Sequence, residues 1–149
     1  PRHLDGIRNH RPVELTDITA TILDAAGLDL VEALGHRFPA FGNALPCRSL
    51  LPVVRGETDA VREYAFAECN NAWQCVVSDR HKYVRHLNAT HPDEQVEELF
   101  DTQNDPGEQR NLLETSGDVE PVADWHRRRL RFTLDRTPPV QLKWAPTMS

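Results

Sequence analysis

The chain is poor in the residues that build a covalent or metal-held scaffold. Its three cysteines, Cys47, Cys69 and Cys75, form no C-x-x-C pair, so neither a zinc site nor a framework of several bridges has the ligands it needs. Three buried free thiols are the plain reading, with a Cys69 to Cys75 bridge across a hairpin as the alternative. No apolar run approaches the roughly 18 to 20 residues of a membrane span. No charged and then apolar leader follows Pro1. A soluble piece of a longer product is expected, since Pro1 rather than Met opens the sequence, and no membrane partner is expected. Positive charge is scarce as well. With 17 Lys and Arg against 23 Asp and Glu, the net charge is −6, which argues against nucleic acid, whose binding is driven by clustered cations releasing counterions. The one basic run, Arg127-Arg128-Arg129 with Arg131, reads as a solvated helix face.

Apolar residues make up 39% of the 149 positions, enough for an ordinary core. Thr16 and Asp17 offer N-cap oxygens to Ile18, Ile22, Leu23, Ala25 and Ala26 at helical spacing, and Gly27 supplies a left-handed stop. Leu28 to Pro46 reads as loop. Ser49 to Val54 reads as one or two helical turns ended by Gly56. From Tyr64 the period drops to two. Tyr64 and Phe66 alternate with Ala65 and Ala67, Trp73, Cys75 and Val77 repeat the pattern, and Val84 and Leu99-Phe100 supply later strands.

The connections are too short for crossover helices, so the sheet is expected to be antiparallel. Ser78 to His81 should close a hairpin, and 87–97 should be a longer loop. Asp105-Pro106-Gly107 is a turn signal, with proline setting φ and glycine accepting positive φ. The last helix is expected from Val119 to Leu134, capped by Asp118. Its stripe would comprise Val119, Val122, Ala123, Leu130, Thr133 and Leu134, with Trp125 at the margin. A tail carrying Trp144 follows Pro138-Pro139.

Glu97-Glu98-Leu99-Phe100-Asp101, the turn at Asn104-Asp105-Pro106 with Glu108, and Asn111-Leu112 resemble the C-terminal signature of sulfatases. Ser78 to Arg85 resembles that family's D-R-x-K-Y-hydrophobic strand. Residues 13–27 resemble the strand and helix that close the edge of its large α/β domain, and 49–56 its S-L-L-P segment. The resemblance covers roughly residues 13–113. It implies an α/β fold, α+β within this fragment: 1–56 would be the C-terminal edge of the large domain, and 57–149 a small antiparallel sheet packed by a helix. It also implies a hydrolase of the alkaline phosphatase superfamily that cleaves sulfate esters of small molecules or carbohydrates. The full-length enzyme would use a calcium ion and a formylglycine made from a Cys/Ser-x-Pro-x-Arg motif. No Cys or Ser of this sequence opens that motif, so the nucleophile and metal ligands are expected in an N-terminal catalytic part of the same protein. This chain alone would be inactive. A phosphonate monoester hydrolase or phosphodiesterase of the same superfamily, or a non-catalytic interaction or structural module, are the alternatives.

No catalytic or metal-ligating residue is assigned within the chain. His81 and His86 are five apart on one strand and so leave opposite faces; with His3 and His10 they read as surface imidazoles. Asp101 and Asp105 read as turn acceptors. Asn70, Asn71 and Trp73 are the candidate substrate-binding residues, because two amides and an indole suit a polar organic group. The resemblance implies that the loop after the first strand faces the cleft. Against this, Asn-Asn is ordinary hairpin chemistry, and a strand-initial Trp is usually core.

Overall fold

A computed structural model describes residues 8–34, 46–69, 72–87, 96–115 and 117–136. Among these residues five helices and four strands follow in the order α1 (Leu15–Ala25), α2 (Leu30–Leu34), α3 (Leu51–Val54), β1 (Ala65–Cys69), β2 (Trp73–Val77), β3 (His81–His86), β4 (Val96–Asp101), α4 (Leu112–Thr115) and α5 (Glu120–Arg136). The strands form one antiparallel sheet ordered β1-β2-β3-β4, each pairing with its neighbour in sequence. This is an α+β meander with a helix on one face, as the period change at Tyr64 predicts. No described helix is long and apolar enough to cross a membrane.

The sheet's two faces carry different clusters because side chains alternate. On one face Val76, Tyr83 and Leu99 pack with Ala123 and Leu130 of α5, all at most 1% exposed. Tyr64, Phe66, Val122, Trp125 and Leu134 surround them. Burying a leucine or valine of this kind contributes about 1.5 to 3 kcal/mol. On the opposite face Cys75, Val84 and Phe100 form a smaller cluster flanked by Trp73 and Val77.

Both open edges of the sheet receive side-chain partners. The backbone N–H of Phe66 in β1 donates to Glu14 at 3.0 Å. On β4, Asn111 accepts from the Leu99 N–H at 3.0 Å and donates to the Glu97 carbonyl at 3.3 Å. One amide thus stands in for a missing strand.

Several expectations are corrected. Helix α1 is capped from Glu14, whose N–H donates to Asp17 at 2.8 Å; Asp17 is a third-position residue whose carboxylate turns inward. Ala20 is buried, but Leu15, Ile18 and Ile22 of the same helix are 84%, 51% and 63% exposed. Gly27 and Gly56 both have φ of +72°. Each ends its helix with a pair of 6→1 and 5→2 backbone bonds, Leu28 to Leu23 with Gly27 to Asp24, and Glu57 to Pro52 with Gly56 to Val53.

Short helix α2 interrupts the expected loop after Leu28, because Asp29 accepts from the Glu32 N–H and starts a turn. In the turn after β4 the positive φ falls on Glu108, at 51°, and not on Gly107. The Glu108 carboxylate meets Lys82 at 2.6 Å, which helps hold it there. His81 opens β3 rather than closing the turn, and β4 starts at Val96. Helix α5 begins at Glu120, with the Val119 carbonyl accepting its first bonds from Val122 and Ala123, so Asp118 is not its cap.

The arginine run is not simply solvated. Arg127 pairs with Glu97 and Glu120, while Arg129 reaches Glu63 and lies 4.9 Å from the Trp125 ring. Of the thiols, Cys75 alone is buried; Cys47 is half-buried and Cys69 exposed, and all three are free. The register explains this: Cys69 faces Trp73, and Cys75 faces Ala67. His3 and Trp144 lie outside the described residues.

Candidate functional site

Of the residues singled out in the sequence, Trp73 is the first of β2, half-buried against the cluster of Cys75, Val84 and Phe100. Asn70 and Asn71 lie outside the described residues. The register builds a corner around Trp73 from three strands. Trp73 is opposite His86, and His86 opposite Val96. One row inward, Cys75, Val84 and Glu98 are opposite one another. All of these side chains leave the sheet on the face away from α5.

His86 Nε2 lies 2.6 Å from Glu98 Oε2. An ionised carboxylate only accepts, so in the neutral imidazole Nε2 carries the proton and Nδ1 is left as an acceptor. An indole, a held imidazole and a carboxylate can together grip a polar ring. In the sequence His86 reads as a surface imidazole; its position opposite Trp73 across the hairpin is the signal that would have joined the two.

At the other end of the sheet, a hollow of about 390 Å³ lies between the β2–β3 turn and the first half of α5, lined by Ser78, Asp79, His81, Val122, Trp125 and His126 among others. His126, 2% exposed, was missed in sequence, although it sits four residues after Val122 and four before Leu130 on the same stripe. Its Nδ1 lies 2.8 Å from the Val122 carbonyl and its Nε2 3.2 Å from Ser78 Oγ. A carbonyl needs a donor, so Nδ1 carries the proton. Burial pushes His126 below its ordinary pKa, and nearby His81 adds to this. His81 is lowered by burial and by Arg80, partly offset by Asp101 and Asp79. The Ser78 hydroxyl also accepts from the His81 N–H and lies 3.1 Å from the His81 carbonyl. The Ser78 side chain thus bridges its own turn to the buried His126 on α5.

The carboxylates of the signature are structural too. Asp101 accepts from Arg80, from the Asn104 side chain and from the Gln103 and Asn104 N–H groups. The Arg80 hydrogen bond outweighs burial and holds its pKa far below the usual carboxylate range. Asp105 accepts from the N–H groups of Gln109 and Arg110. Both are turn acceptors, as their spacing suggests. Among the described residues, no three His, Cys, Asp or Glu side chains are grouped so as to hold a metal ion.

No family model matches the chain, and no curated protein matches it. Solved structures do. The structure of BT4656 in complex with its substrate D-glucosamine-2-N,6-O-disulfate is 21% identical with a TM-score of 0.59, over 80% of this chain and 23% of that one. A candidate sulfatase from Bacteroides thetaiotaomicron VPI-5482 is 24% identical with a TM-score of 0.59, over 80% and 24%. Another, yidJ from Bacteroides fragilis, is 20% identical with a TM-score of 0.54, over 80% and 24%. The chain spans about a quarter of the length of the structures it matches. Its helices and four-stranded meander therefore have the fold of the C-terminal portion of sulfatases.

Proposed function

We propose that this chain is the C-terminal part of an enzyme that hydrolyses sulfate esters of small molecules or carbohydrates, whose nucleophile and metal ligands lie in an N-terminal catalytic part of the same protein. One observation supports this above the others. The motifs that resemble the sulfatase signature fall in the same order on β3, β4, the Asp105-Pro106 turn and the Asn111 edge clasp of a sheet whose fold likeness is to sulfatases. Calcium and formylglycine would belong to the upstream part. The described residues offer no group of three His, Cys, Asp or Glu side chains for the cation.

Residues 1–56 then form the edge of the large α/β domain and 57–149 the small subdomain. The exposure of Leu15, Ile18 and Ile22 supports this, since these three α1 side chains leave an apolar stripe uncovered. Asn70, Asn71 and Trp73 would contribute to the cleft wall.

The test is an assay of the full-length product against an aryl sulfate, a phosphonate monoester and a phosphodiester, each with calcium. Preferential sulfate ester hydrolysis is expected, and preference for either phosphorus ester would move the enzyme to the alternative class. The isolated 149 residues should turn over none of them. In the full-length protein Asn71→Ala should lower kcat/KM up to about tenfold, the loss of one neutral hydrogen bond, with the melting temperature barely moved. Lost stability with unchanged kinetics in Asn70→Ala, Asn71→Ala and Trp73→Ala alike would remove the cleft wall.

A further inference from the structure

The corner formed by Trp73, His86, Val96 and Glu98 differs from the rest of its sheet face. One row inward Cys75 and Val84 are buried, and Phe100 beyond them is also buried. At the corner His86 remains 45% and Glu98 33% exposed in their side chains, and Val96 is 58% exposed. Trp73 itself is half-buried against that cluster, so part of its surface stays open. The flanking imidazole is fixed in direction by Glu98 at 2.6 Å, and its Nδ1 has no partner among the described residues.

This combination has a chemical bias. A sugar ring presents C–H groups that pack on an indole, together with hydroxyls that donate to an acceptor nitrogen. A planar aryl group would use the indole but has no hydroxyl to give Nδ1. We infer that His86, held by Glu98 and flanked by Trp73, is a specificity-determining contact for the saccharide ring of a carbohydrate sulfate. The inference rests on the reading of Trp73 as part of the cleft wall. His86 touches the ring, and Glu98 is a positioning residue acting through it.

The experiment uses the full-length enzyme, a panel of mono- and disaccharide sulfates, and 4-nitrophenyl sulfate as the aryl comparison. For the saccharide sulfate turned over fastest, His86→Ala should lower kcat/KM about three- to tenfold relative to the aryl sulfate, the size of one lost hydrogen bond, chiefly through KM. Glu98→Ala should do the same. Glu98→Gln should recover most of the loss, because its amide oxygen still accepts from Nε2–H.

If Trp73→Ala lowers kcat/KM with an unchanged melting temperature and His86→Ala leaves the saccharide-to-aryl ratio at the wild-type value, the inference falls while the cleft wall stands. If Trp73→Ala leaves kcat/KM unchanged on both substrates and His86→Ala leaves the ratio unchanged, both fall. A parallel loss on the two substrates with a lower melting temperature marks a structural role and overturns the inference. So does an enzyme that hydrolyses the aryl sulfate but none of the saccharide panel.

Discussion

Arg62 donates through Nε to Asp17 Oδ2 at 3.0 Å and through Nη2 to the other carboxylate oxygen, joining residues 45 positions apart. Asp17 is fully buried, Arg62 is 8% exposed, and Arg62 also reaches Glu14 at 2.9 Å. Asp17 further accepts from the backbone N–H groups of Glu14 and Arg48. One guanidinium therefore ties α1 and the segment before α3 to the start of the sheet.

Removing either partner strands a buried charge. Arg62→Ala should destabilise the protein by about 3 to 5 kcal/mol, the cost usual for breaking a buried pair from one side. Arg62→Lys should recover only part of it, because an ammonium cannot fork onto two carboxylate oxygens. Urea denaturation of the three proteins measures this; a loss under about 1 kcal/mol for Arg62→Ala would show the cluster to be dispensable.

The buried His126 should make stability fall in mild acid. Its folded pKa lies below the ordinary 6.5, chiefly through burial, so the unfolded chain takes up the proton first. The stability held by the neutral imidazole is complete above 6.5 and is lost as pH falls through that value toward the folded one. His81 is lowered as well and acts in the same direction. Asp17 enters further down: burial opposes its ionisation, the Arg62 and backbone hydrogen bonds outweigh it, and its contribution fades as pH falls below 3.8. Denaturation midpoints at pH 7.5 and 5.5 should differ, and His126→Gln should narrow that difference.

Leu130, 1% exposed in the interface between α5 and the sheet, tests whether helix and sheet share one core. Leu130→Ala should cost about 2 to 5 kcal/mol. Phe132, 47% exposed two residues on, is the control, and Phe132→Ser should stay within about 0.5 kcal/mol as surface changes do. Equal losses in chemical denaturation would contradict the packing.

Asn111 explains why an asparagine opens the Asn-Leu pair. Asn111→Ala leaves the Leu99 N–H and the Glu97 carbonyl without their partner, and should cost about 1 to 3 kcal/mol. Asn111→Asp keeps the acceptor and loses the donor, so it should fall between the two. Hydrogen exchange at the Leu99 amide reports the same event locally, and unchanged protection in Asn111→Ala would sink the account.

By itself the sequence determined what depends on local periodicity. Strand alternation from Tyr64, the meander imposed by short connections, helices ended by Gly27 and Gly56, and the turn acceptors Asp101 and Asp105 follow from steric and hydrogen-bonding preferences that act over a few residues. The tertiary structure decided what depends on distant partners. Asp17 reads as a cap until Arg62 arrives from across the chain and draws it inside. His126 is not singled out by the sequence; its place follows from the Val122 carbonyl on its own helix and Ser78 in the β2–β3 turn, which meet its two nitrogens. The positive φ fell on Glu108 rather than Gly107, where Lys82 holds its carboxylate. His86 gained its place beside Trp73 from strand register, because pairing across a sheet is set by neighbours that short-range preference does not reach.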